Sequence, residues 1–94
     1  MPASTGSVSV GTSATLILSA DSDRKRFYIV NNSDAETLYL GVDSSVTASG
    51  DTSNDGLPLY PNQARHDVFV SEGYKGDVYG IATGTSNVRF WQET

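Results

Sequence analysis

The residues able to do chemistry in this sequence are few and scattered. His66, its single histidine, is followed by Asp67, a base beside a carboxylate that could orient it, and thirteen serines supply hydroxyls. A hydrolytic triad needs three groups gathered by the fold, and adjacency of two of them does not supply the third. Carboxylates pair loosely as Asp21/Asp23, Asp34/Glu36 and Asp51/Asp55. Each pair lies in a stretch that reads as a turn, where aspartates cap local amides. The run Asp51 to Gly56 carries oxygens at the alternate positions a calcium loop uses, but without the closing glutamate or flanking helices. One histidine and no cysteine cannot make a usual zinc site, and no glycine-rich loop opens a helix to hold phosphate. We therefore expect no catalytic residues, no enzyme activity, no metal and no cofactor.

What remains is surface. Arg24, Lys25 and Arg26 form the basic cluster of the sequence at the entrance to a predicted strand. There they serve either as a solvated strand end that discourages edge pairing or as a docking point for an acidic surface. Tyr28, Tyr39, Tyr60, Phe69, Tyr74 and Trp91 are the aromatics that the strand pattern leaves outside the predicted core or in turns. Tyrosine and tryptophan are enriched at protein interfaces. Tyr28, Tyr39, Trp91, Arg24 and Arg26 are accordingly the candidate interface residues.

The elements that must carry these residues are strands. Serine and threonine number 22 of 94 residues, with nine glycines and eight aspartates, and this mixture offers the backbone alternatives to a helix. Apolar residues recur at spacing two in short runs bounded by Gly, Asn, Asp or Ser. Strands are predicted over Ser7–Val10, Thr15–Ser19, Arg26–Asn31, Thr37–Val42, Leu57–Tyr60, Asp67–Ser71, Asp77–Thr83 and Asn87–Gln92. Pro58 and Pro61 frame a strand that belongs at an edge, because proline lacks an amide donor.

Alternation predicts three hairpins. Ile29 faces Leu38 and Phe27 faces Leu40 in the first, with Tyr28 opposite Tyr39 on the other face. Ile81 faces Val88 and Tyr79 faces Phe90 in another, leaving Val78, Arg89 and Trp91 outside, and the strand before it aligns Val68 and Val70 with Tyr79 and Ile81. The predicted core is Leu16, Leu18, Phe27, Ile29, Leu38, Leu40, Val68, Val70, Tyr79, Ile81, Val88 and Phe90. The expected fold is an all-β, single-domain antiparallel β-sandwich, jelly-roll-like, of about eight short strands. A flexible arm is expected over residues 1–13 and the sandwich over 14–94. The long Asp43 to Gly56 stretch has too few apolar residues for a core of its own.

A net charge of −5 makes nucleic acid and anionic membrane unlikely partners. Residues 1–11 have neither the basic start nor the apolar stretch of a signal peptide or anchor. With no cysteine, packing, with or without help from oligomerisation, must stabilise so small a domain.

The succession Arg26-Phe27-Tyr28-Ile29-Val30-Asn31-Asn32-Ser33, Leu38-Tyr39-Leu40-Gly41, Gly56-Leu57-Pro58-Leu59 and Gly73-Tyr74-Lys75-Gly76-Asp77-Val78-Tyr79-Gly80-Ile81-Ala82 resembles small β-sandwich virion proteins of tailed bacteriophages. These include capsid decoration (cement) proteins and head or tail accessory proteins. The resemblance implies a non-enzymatic structural part, commonly a homotrimer, whose partner is the major capsid protein or another virion protein. A chain of one domain then reads as a stand-alone decoration protein on the capsid exterior, assembled in the host cytoplasm. The alternative is a carbohydrate- or host-surface-binding module of a tail or head fibre, stacking sugars on the same aromatics.

Overall fold

Each predicted strand is present in the computed structural model, which describes residues 3–48, 56–61 and 68–94. They are β1 (Ala3–Val10), β2 (Thr15–Leu18), β3 (Arg26–Asn31), β4 (Leu38–Gly41), β5 (Leu57–Leu59), β6 (Val68–Glu72), β7 (Val78–Ala82) and β8 (Ser86–Glu93). Burial alternates along β1, β3, β4 and β7, as period-two strands with one face in a core require.

Two four-stranded antiparallel sheets stack, ordered β1-β8-β3-β6 and β2-β7-β4-β5. The pairing is nested: Val8 lies opposite Val88, Leu16 opposite Tyr79, Tyr28 opposite Val70 and Leu38 opposite Leu59. The chain is thus one long hairpin, folded so that successive strand pairs fall in alternate sheets, which is the jelly-roll arrangement.

That arrangement overturns the three predicted hairpins. Strand β3 pairs with β6 and β8, and β4 with β5 and β7. Phe27 and Ile29 therefore meet Leu38 and Leu40 across the interior, from opposite sheets, rather than side by side. Likewise β7 and its neighbours in sequence, β6 and β8, lie in different sheets. Parity decides which side chains share a face of a strand, but it says nothing about which strand lies alongside.

The core consists of Val10, Ile17, Leu18, Phe27, Ile29, Leu38, Leu40, Leu59, Val78, Ala82 and Val88, with Val8, Phe69, Tyr74 and Phe90 packed against it. Leu16, Val68, Val70, Tyr79 and Ile81, expected inside, are not in it. A register shift between Leu16 and Leu18 turns both Ile17 and Leu18 inward and Leu16 out. In β6 it is Phe69 that points in, its ring 5.9 Å from that of Phe27. In β7 the inward positions are Val78, Gly80 and Ala82. A Cβ on Gly80 would lie 2.7 Å from Ile17 Cδ1 and 3.1 Å from Leu38 Cδ1. Neighbouring strands already fill that space, so the bulkier Tyr79 and Ile81 face outward.

The arm expected over residues 1–13 is, from Ala3 to Val10, an edge strand paired along its whole length with β8. After β4, residues 43–46 form a turn. Asp43 accepts the Ser45 amide on Oδ1 at 2.9 Å, and this turn carries Val46 into the interior, 6% exposed.

Candidate protein interface

Because strands β1, β8, β3 and β6 bury alternate residues inward, the residues between them build one outer face in register. One row runs Thr5, Trp91, Tyr28, Val70. The next runs Ser7, Arg89, Val30, Val68, and the row on the other side runs Ala3, Glu93, Arg26, Glu72. Trp91, Val68 and Val70 are 43%, 51% and 50% exposed. Tyr28, Val30, Val68, Trp91 and Glu93 line a shallow groove of about 380 Å³. Apolar side chains gathered on a wet face, bordered by charge, are the usual anatomy of a docking site.

Polar contacts hold the aromatic anchor in place. Trp91 donates its indole N–H to Glu93 Oε2 at 3.0 Å, and Arg26 reaches Glu93 Oε1 at 3.2 Å and Glu72 at 3.7 Å. Hydrogen bonding with Tyr28, and then the charges of Glu93 and Glu72, hold Arg26 above its ordinary pKa. Exposed pairs of this kind orient side chains more than they stabilise a fold. Here they hold the indole in one orientation, and a side chain ordered in advance is cheaper to bury in a contact.

Of the five residues expected at an interface, Tyr28, Trp91 and Arg26 come together on this face. Tyr39 lies on the other sheet, opposite Ile81 and Pro58. Arg24 is a correction. Its side chain is fully buried inside the domain, donating to the carbonyls of Ser19, Tyr74 and Gly76, with its guanidinium 5.3 Å from the centre of the Phe27 ring. It fastens the β2–β3 loop to the β6–β7 loop and offers nothing to a partner. The strand it precedes, β3, is interior to its sheet, so the basic cluster does not guard an edge.

Val30 and Arg89, which alternation turns outward with Tyr28 and Trp91, join this face, and Val68, Val70 and Glu93 complete it although they were not expected there. Phe69 holds the signal: placing this largest residue of β6 inward turns both valines out.

A second apolar feature is a cavity of about 290 Å³ at one end of the sandwich, lined by Phe27, Leu40, Leu57, Phe69, Tyr74 and Val78 among others. Asp21 accepts the amide of Asp23 at 2.9 Å, as a turn aspartate should. Among the described residues no group of three or more His, Cys, Asp or Glu is placed to hold a metal ion. His66, Asp67 and the Asp51 to Asp55 run lie outside the described residues. Comparison with protein-family models, with curated proteins and with solved structures finds no match to this chain.

Proposed function

We propose that this chain is a non-enzymatic assembly part that docks through the outer face of the β1-β8-β3-β6 sheet onto another protein. The observation that carries the reading is the exposed row Trp91, Tyr28, Val70 with Val30 and Val68 beside it. An aromatic anchor held by Glu93 and ringed by charge is what a partner's pocket would engage. The resemblance to small virion proteins of tailed phages makes the favoured partner the major capsid protein, and the favoured role that of a decoration protein on the head exterior. The jelly-roll order is consistent with that role only at the level of fold, which hosts many functions.

The test mixes the purified chain with heads that lack it. Binding in a stoichiometry matching the shell's symmetry, with heads more resistant to heat, supports the reading. Trp91→Ala should weaken binding by roughly tenfold or more, the usual loss at a hot spot. Wild-type chain that fails to bind such heads sinks the decoration role.

The groove beside Trp91 favours one second reading. A half-exposed indole next to Tyr28 with a carboxylate at its edge can stack and hydrogen-bond a sugar. Saturable glycan binding lost in Trp91→Ala, without binding to heads, would select that function instead.

A further inference from the structure

Among the described residues the two sheets end in four strand edges, β1, β6, β2 and β5, and three of these are blunted. Strand β2 has four residues and a register break, β5 has three and contains Pro58, and β6 has five and ends in Glu72. Strand β1 is different. It runs eight residues, Ala-Ser-Thr-Gly-Ser-Val-Ser-Val, with no proline and no charge, and its register with β8 is unbroken from Ala3 to Val10. An edge strand turns about half of its backbone N–H and C=O groups away from its neighbour, ready for another strand. The usual protections, a bulge, an edge lysine or an inward charge, are missing from this one. Its glycine does not loosen it either, because the Phe90 ring fills the space beside Gly6, 2.6 Å from where a Cβ would sit.

The geometry points to a second copy of this chain as the occupant of that edge, with β1 pairing antiparallel to β1 across a two-fold axis normal to the sheet. Between two copies of the chain, charge opposes this contact least. The chain carries −5 overall, so most approaches of two copies bring acid toward acid, whereas β1 offers eight uncharged residues to eight uncharged residues. The contact is isologous and closes on itself. It makes one continuous sheet, β6-β3-β8-β1 followed by β1-β8-β3-β6, and both Trp91 rows then lie on the same side. Strands β8 of the two copies stand three strand spacings apart, about 14 Å. The dimer would grip a repeating surface at two points and gain avidity from the second. The pairing itself does not depend on what that surface is.

Sedimentation of the pure full-length chain from low to high micromolar concentration tests the pairing without any partner, so its failure and the failure of head binding are separate results. A monomer–dimer equilibrium is expected. Hydrogen exchange of β1 amides should slow as concentration rises. In Thr5→Lys/Ser7→Lys, two exposed positions acquire like charges that face each other across the axis. Dimerisation should weaken roughly tenfold or more with the thermal melt of the monomer retained. A strict monomer, the three-fold assembly that the family resemblance implies, or a dimer with β1 amides unprotected would overturn the proposal.

Discussion

Ser86 donates its hydroxyl to Asn31 Oδ1 at 2.6 Å, and neither residue is exposed to solvent. The Asn31 amide then donates to the carbonyls of Glu36 at 2.9 Å and Leu59 at 2.8 Å. Asn31 and Ser86 belong to the β1-β8-β3-β6 sheet, while Leu59 is in β5 and Glu36 leads into β4 of the other. One amide side chain therefore joins the two layers by hydrogen bonds through the interior. Buried networks of this kind are strong when every member is satisfied and costly when one is removed.

Asn31→Ala should destabilise the fold by about 2–4 kcal/mol, since it strands two carbonyls and the Ser86 hydroxyl. Ser86→Ala removes one bond and should cost about 1–2 kcal/mol. Urea unfolding of both variants checks the order, and equal losses would show that Asn31 does not span the sheets energetically.

Arg24 answers three carbonyls from two loops. Arg24→Met keeps the packing against Phe27 but leaves those acceptors without a donor, a loss of about 3 kcal/mol or more. Arg24→Lys should recover only part of it, because an ammonium lacks the planar fork that spans the loops. A methionine variant as stable as wild type in urea would refute this account.

Val46 packs against Gly41 and Gly56. A Cβ on Gly41 would lie 2.5 Å from Val46 Cβ, and one on Gly56 would lie 2.9 Å from Val46 Cγ2. Gly41→Ala is expected to destabilise by about 1–3 kcal/mol through overcrowding. Val46→Ala in the same chain should relieve part of the clash, giving a double-mutant coupling above about 0.5 kcal/mol in thermal unfolding.

The side-chain and backbone hydrogen bonds of Ser45 hold the Asp43 carboxyl below its ordinary pKa. A depressed folded-state value means that the stabilising effect is complete above the unfolded pKa near 3.9. It fades as pH falls through the lower folded value. Ser45→Ala should move the Asp43 titration, followed by carbon NMR of the carboxyl, upward toward that ordinary value. The two chains should differ less in stability at the acid end than at neutral pH. An unmoved titration would remove the Ser45 hydroxyl as a cause.

Strand positions were legible because alternation and turn residues act locally: the runs Arg26–Asn31 and Leu38–Gly41 announce themselves. Neighbours were not, since jelly-roll pairing joins residues such as Val8 and Val88 that no local pattern connects. The faces of β6 and β7 misled for a physical reason. Valines and isoleucine look like core residues, yet Phe69 and the space over Gly80 took the interior and left the aliphatics on the surface. Arg24 was misread in the same manner, because a charged residue among charged residues reads as solvated until two loops are seen to close over it. The Trp91 face was half legible, its aromatics evident and Val68 and Val70 concealed by that parity error.

The nested pairing also bears on how the chain comes to be folded. Strand β1 is synthesised first, yet the strand it pairs with, β8, is the last of the eight to be made. Throughout the synthesis of the strands between them the Ala3–Val10 segment waits without its template, and although β3 can pair with β6 earlier, β1 cannot join that sheet until Ser86–Glu93 has left the ribosome. Loop closure over nearly the full chain must precede its reward, so folding belongs in the slow, millisecond-to-second range of β-sandwiches. During that interval the uncharged β1 is open to pairing with whatever strand is nearest, including the same segment on a neighbouring nascent chain.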